Sequence, residues 1–280
     1  MRSVVVTGAS TGIGWGCVKV LSASGFRVFG SVRRQSDADR LSKEFGPNFT
    51  PLIFDVTDSA TVAAGMQQVS AALGGETLFG LVNNAGIAVP GPLLYLKIDE
   101  FKRQITVNLV GQLIVAQAFA PLLGVDRSRH GAPGRIVMMS SVSGRNASPF
   151  LGPYSASKFA LEGMSEALRR ELMLFGIDVI VIAPGMVATP IWDKADALDM
   201  SQFGGTPYAA ALGKVKDYMV SSGRKGLPAE KIGEAVKTAL TASKPRIRYT
   251  VTPTPIQNLL VNTLPKRIVD NMIARRVGLR

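Results

Sequence analysis

The stretch Val4-Val5-Val6-Thr7-Gly8-Ala9-Ser10-Thr11-Gly12-Ile13-Gly14 decides how the chain is read. An apolar run breaks into three glycines, and an amphipathic stretch follows at once. That is a strand, a tight turn and a helix. Backbone N–H groups at a helix N-terminus carry partial positive charge and suit a pyrophosphate. Glycine lets the main chain approach phosphates without a Cβ clash. A plain strand–helix turn would use the same glycines, so their placement counts for more than their number.

Outward from that turn, apolar and amphipathic stretches alternate. Residues 3–6, 27–32, 50–54, 78–82, 135–139, 178–182 and 247–251 read as strands. Most are apolar on successive residues, as strands buried on both faces must be. Residues 12–24, 37–45, 59–73, 99–123, 155–175 and 228–241 read as helices, and Gly25 and Gly176 stand where helices stop. The alternation predicts an α/β chain with a doubly wound parallel sheet of about seven strands and helices on both faces. Residues 1–280 are expected as one domain. Within it, the weakly periodic 190–225 is expected to be a substrate lid, and 252–280 a helical C-terminal extension.

The bulk composition excludes several functions. The 280 residues are 46% hydrophobic and 19% charged, which is globular composition. One cysteine, Cys17, and one histidine, His130, exclude a disulfide framework and a Cys- or His-rich zinc site, so no metal is expected. His130 lies in the polar run Arg127-Ser128-Arg129-His130-Gly131 and reads as a loop residue. Thr7-Gly8 cuts short the apolar run after Arg2, so no secretory signal is expected there. Residues 109–123 come nearest to a spanning helix, but Gln112 and Gln117 interrupt them, and a buried helix is expected. The reading is a soluble, cytoplasmic protein. The net charge of +12 suits nucleic acid or an anionic ligand or surface. No zinc-finger spacing or aromatic-rich signature accompanies it, so no nucleic-acid partner is expected.

Two further stretches carry chemistry. The second strand ends Gly30-Ser31-Val32-Arg33-Arg34, with arginines where a carboxylate would bind a ribose 2′-hydroxyl. Arginine can hold a 2′-phosphate bidentately, which points to NADP(H), with NAD(H) as the alternative. Arg33 is the first candidate and Arg34 the second. In Tyr154-Ser155-Ala156-Ser157-Lys158 the phenol and the ammonium stand four apart, one above the other on a helix. A neighbouring cation favours a phenolate and is expected to lower the pKa of Tyr154. That makes an acid/base device in a chain without a catalytic histidine.

With these motifs in order, the chain resembles the short-chain dehydrogenase/reductase family, and within it the hydroxysteroid and retinol dehydrogenase branch. The resemblance rests on Thr7-Gly8-x-x-x-Gly12-Ile13-Gly14, Asp55-Val56, Asn83-Asn84-Ala85-Gly86, Asn108, Ser141, Tyr154-x-x-x-Lys158, and Pro184-Gly185 with Thr189. It implies a Rossmann-type fold and hydride transfer between an alcohol and a carbonyl. Gly8, Ser10, Thr11, Gly12, Ile13 and Gly14 would cradle the cofactor. Asp55 and Val56 would touch its adenine. Asn83, Ala85 and Gly86, then Pro184, Gly185, Val187 and Thr189, would line the remainder. Tyr154 would exchange the proton, Lys158 would tune it and hold the ribose, and Ser141 would hold the carbonyl oxygen, ahead of its neighbour Ser140. Asn108 would anchor a water relay. A homodimer or homotetramer is implied.

Phe150, Leu151 and the apolar residues of 190–225 suit a bulky apolar substrate of steroid, retinoid or lipid type, or simply a lid core. The alternatives are a 3-oxoacyl-thioester reductase of the same family and an NADP-binding regulator without chemistry. The basic tail mixes Lys266, Arg267, Arg275, Arg276 and Arg280 with Leu259, Leu260, Val261, Ile268 and Met272. It is expected to pack on the body or a second subunit, with membrane contact as the other use.

Overall fold

A computed structural model describes residues 1–280. Nine strands form: β1 (Ser3–Val6), β2 (Arg27–Val32), β3 (Phe49–Ile53), β4 (Gly80–Asn83), β5 (Arg135–Met139), β6 (Asp178–Pro184), β7 (Val187–Ala188), β8 (Leu227–Pro228) and β9 (Arg248–Val251). Seven of them make one parallel sheet in the order β3-β2-β1-β4-β5-β6-β9. β7 and β8 pair separately. The helices are α1 (Gly12–Ala23), α2 (Gln35–Phe45), α3 (Ser59–Leu73), α4 (Ile98–Ile105), α5 (Gly111–Phe119), α6 (Gly152–Glu171), α7 (Ile191–Asp196), α8 (Ala209–Arg224), α9 (Ala229–Thr241), α10 (Pro255–Thr263) and α11 (Lys266–Val277).

Alternation along β1 divides the core. Val4 and Val6 face Cys17, Val18 and Leu21 of α1 and Ile232 and Val236 of α9. Val5 faces the other side, with Val62 and Val69 of α3, Val115 and Phe119 of α5 and Leu161 of α6. Both faces are therefore covered, the doubly wound Rossmann-type arrangement expected from the sequence. Strand order reverses between β1 and β4, and the crevice at their carboxyl ends is where such sheets bind ligands.

Several boundaries and one helix differ from the sequence reading. α6 starts at Gly152, not 155, because Pro153 suits the first helical turn, where no N–H is needed. The strand expected at 78–82 begins at Gly80, since the Leu78 N–H is spent on Leu122 O (2.7 Å). In the weakly periodic 190–225, α8 runs sixteen residues. Its buried face is Ala211, Leu212, Val215 and Val220, and Gly213 and a mixed polar surface blur that stripe in the sequence. A Cβ on Gly223 would fall 2.1 Å from the Trp192 ring, so α8 closes on α7 only through a glycine.

α1 and α9 interlock in the same way. A Cβ on Gly16 would lie 2.6 Å from the Ala229 carbonyl carbon, and one on Gly233 would lie 2.7 Å from Gly16 O. Gly16→Ala must push two helices apart, at roughly 1–3 kcal/mol. Calorimetry is expected to show a melting temperature lower by roughly 3–10 °C. An unchanged value would show that the helices part freely.

Candidate active site

The site is built where β1, β4, β5 and β6 end. The turn after β1 holds Gly8 and Gly12 at φ +67° and +62°, conformations that L side chains avoid. A Cβ on Gly14 would lie 2.1 Å from Gly8 O. The N-cap of α1, Thr11, makes no side-chain capping bond, and the first turn contains no acid. Its N–H groups are therefore free to meet an anion. Gly12 lies across from Thr189, whose Cβ would stand 3.4 Å from a Cβ on that glycine. The turn after β1 and the segment after β6, both expected at the cofactor, thus face each other. This glycine cradle at a helix N-terminus fits a dinucleotide pyrophosphate.

The end of β2 divides its two arginines. Arg33 keeps 75% of its side chain exposed and stands 3.8 Å from Asp55 at the end of β3. Burial pushes Asp55 up, but hydrogen bonds from Thr57 N and Oγ1, together with Arg33, leave its pKa below the ordinary carboxylate value. Arg34 turns the other way, its Nε donating to Asp37 Oδ2 at 2.9 Å. Asp37 also accepts from Arg40 Nη2 (3.3 Å), which in turn donates to Ser10 O at 2.6 Å. Arg34 is therefore committed to α2. Arg40, which the sequence reading missed, braces the glycine turn.

The crossing from β4 is held by a row of buried amides. Gln104 Oε1 accepts from Val89 N (2.7 Å) and its Nε2 donates to Ile87 O (2.9 Å). Asn108 accepts from Ile87 N (2.8 Å) and donates to Ile87 O (2.9 Å) and Ser157 Oγ (3.1 Å). Gln112 donates to Ala85 O. Between α4 and α5 the helix widens into a π turn, Thr106–Val110, with Asn108 at its centre. Such turns recur at functional sites. Asn83, expected at the cofactor, is fully buried, and its amide is spent on Gln112 O at 2.7 Å. Asn84 beside it grips the first turn instead, donating to Thr7 O at 2.8 Å.

Ser141, at the end of β5, and Tyr154 and Lys158, in the first turns of α6, converge on the same end of the sheet. Ser141 favours the charged form of the Tyr154 phenol, and its Oγ accepts from Ser143 N at 3.1 Å. Ser140 Oγ lies instead beneath Gly144, 2.7 Å from where its Cβ would be. Lys158 is 4% exposed, and its Nζ donates to Met139 O at 2.7 Å and stands 5.8 Å from the Tyr154 ring centroid. Burial pulls the ammonium down from 10.5 to about 8, while Glu162, one turn on, pulls it back up. Glu162 is itself held by Arg248 Nε at 3.1 Å, a partly buried ion pair behind Ser141.

The sequence reading expected Lys158 to lower the Tyr154 pKa. The structure corrects this. Burial of the phenol end raises it above the ordinary 10, and only Ser141 opposes the rise. Desolvation wins because the half-buried phenol has only Ser141 to oppose it, while the buried Lys158 turns its ammonium to a backbone carbonyl.

Comparison with known proteins agrees with this geometry. Residues 2–199 match the family described as short chain dehydrogenase. The NADPH-dependent 3-dehydrocapnine reductase of Ornithobacterium rhinotracheale is 36% identical, over 97% of this chain and 96% of its own. Retinol dehydrogenase 16 of Mus musculus is 31% identical, over 97% of this chain and 87% of its own. A short-chain dehydrogenase from Streptomyces avermitilis superposes with a TM-score of 0.76 at 25% identity, covering 98% of this chain and 94% of that one.

The buried ammonium has a consequence for stability. Its value in the folded protein lies below its ordinary one, so the unfolded chain binds the extra proton between about pH 8 and 10.5. The cost is complete below about pH 8 and fades as pH rises to 10.5. At ~1.4 kcal/mol per unit it amounts to roughly 3 kcal/mol, less the bond to Met139. Lys158→Met is expected to melt no earlier than the wild type at neutral pH. The wild type should gain on it as pH rises through that window. Calorimetry showing the variant much less stable at neutral pH would overturn this account.

Proposed function

The chain belongs to the short chain dehydrogenase family, and we propose that it is an NADP(H)-dependent enzyme interconverting an alcohol and a carbonyl on a bulky apolar substrate. The observation that carries the reading is the Ser141–Tyr154–Lys158 group at the carboxyl end of the sheet, facing the same crevice as the glycine cradle. A nicotinamide bound in that crevice supplies or accepts the hydride.

The residues provide everything else. Tyr154, with its raised pKa, stays protonated at neutral pH and stands ready to give its proton to a carbonyl oxygen. Ser141 holds that oxygen from the other side. Lys158, one turn further along α6, is placed to hold the nicotinamide ribose, and Glu162 favours its charged form. Asn108 and Ser157 hold the first turns of α6 against the crossing from β4.

Arg33 supports the choice of cofactor: it is an exposed guanidinium at the end of β2, held only at 3.8 Å by Asp55, and a relative is named for NADPH. The apolar substrate is supported by Leu93, which is 59% exposed yet packs on Gly152, two residues before Tyr154. Leu94, Tyr95 and Ile98 continue that exposed apolar surface. Phe150 takes the lid-core use of the two considered. It packs with Phe203, Leu212 and Val215, and φ +64° aims it there.

A carbonyl panel should be run with NADPH and NADH, spanning steroid, retinoid and long-chain ketones and acetoacetyl thioesters. NADPH-dependent reduction of the apolar carbonyls is expected. Tyr154→Phe should lower kcat by roughly 10²–10⁴-fold while cofactor still binds. Full activity in that variant would sink the mechanism. Arg33→Ala should raise the KM for NADPH by roughly 10–100-fold, the loss of a charged hydrogen bond, and leave that for NADH unchanged. Equal effects on both cofactors would remove Arg33 from 2′-phosphate recognition.

A further inference from the structure

α10 is an amphipathic helix turned inside out. Ile256, Leu259 and Leu260 recur at the spacing of one helical face, yet they are 74%, 62% and 50% exposed, and no residue of α10 is buried. α11 carries two stripes. Val269 and Arg276 face the body, the first buried and the second 4.3 Å over the Tyr218 ring. Ile268, Met272 and Arg275 share the other face, and all are exposed, as is Leu279 beyond the helix end at Gly278. An exposed apolar stripe of this kind marks a contact surface.

Charge selects the partner. From 252 to 280 the five cations Lys266, Arg267, Arg275, Arg276 and Arg280 face one acid, Asp270. None of the five takes part in an ion pair. A second copy joined by two-fold symmetry would press this surface against itself, setting cation against cation. An anionic lipid surface accepts both the apolar stripe and its basic rim. We propose that α10 and α11 form a docking face for an anionic bilayer surface.

The placement gives the contact a use. The tail leaves the carboxyl end of β9, where Thr252 Oγ1 would stand 2.5 Å from a Cβ on Gly185, in the segment facing the cofactor cradle. Val277 packs on the cluster of Phe150, Phe203, Leu212 and Val215. A bilayer under α10 would therefore lie at the catalytic end of the sheet, the end an apolar substrate must enter.

The test reads binding, not turnover, so it stands apart from the catalytic reading. The full chain would be sedimented with vesicles of phosphatidylcholine alone or mixed with phosphatidylglycerol. Binding to the anionic vesicles is expected to be at least about tenfold stronger, and to weaken with salt. Leu259→Asp with Leu260→Asp should abolish it without moving the melting temperature, since nothing of α10 is buried. Arg275→Gln should weaken it about fivefold. Absence of wild-type binding, or undiminished binding by the double variant, would overturn the proposal. So would a large fall in melting temperature, or a dimer in ultracentrifugation that the double variant dissolves.

Discussion

The segment between β4 and α4 crosses the carboxyl end of the sheet without regular pairing, and its backbone groups must find partners inside the protein. Leaving a buried amide or carbonyl unmade costs about 1–3 kcal/mol each. Gln104, Asn108 and Gln112 meet that demand from one face of the long helix, reaching Val89, Ile87 and Ala85. Thr7 Oγ1 completes it from β1 by accepting from Asn84 N and Ala85 N at 2.8 and 2.9 Å. The glycine turn and the catalytic helix hang on this one segment, the first through Asn84 and the second through Asn108 and Ser157. Three apolar residues in place of these amides would pack well and leave the crevice without a floor.

A second tension runs through Lys158. An ammonium this deep is costly, and the fold keeps it charged with a backbone carbonyl on one side and the Glu162 carboxylate one turn away. Glu162 then needs Arg248, and Arg248 comes from β9, the last strand of the sheet. The charge beside Tyr154 thus depends on a residue ninety positions further on, which ties the end of the chain to the chemistry.

What the sequence disclosed follows from how locally each feature is determined. The glycine turn and the Tyr154–Lys158 pair are legible because each is a few consecutive residues, where spacing fixes geometry. The strands are legible because burial on both faces leaves few polar residues in them. Gln112 showed in the sequence only as an interruption in an apolar run that reads as a buried helix, since its partner Ala85 lies far back in the chain. Arg40 gave no signal for the same reason: Ser10 O is thirty residues away. Arg34 stood as the second candidate behind Arg33, and Asp37, on the next helix, claims it. The pKa of Tyr154 was misjudged because the sequence showed the cation and not the depth.

Net charge shows the same limit. A total of +12 suggests one diffuse positive field. In the fold, many of the cations are spent locally: Lys19 on Glu230, Arg103 on Glu100, Arg224 on Asp193 and Asp196, Lys237 on Glu234. The tail's five are not, and Arg33 meets Asp55 only at 3.8 Å, with that carboxylate already engaged by Thr57. Surface pairs of this kind add little stability, but each removes a cation from the field a partner would meet. The tail stands apart in how its cations cluster: five of them fall within residues 266–280 with one acid, Asp270, among them, so a partner meets that field whole.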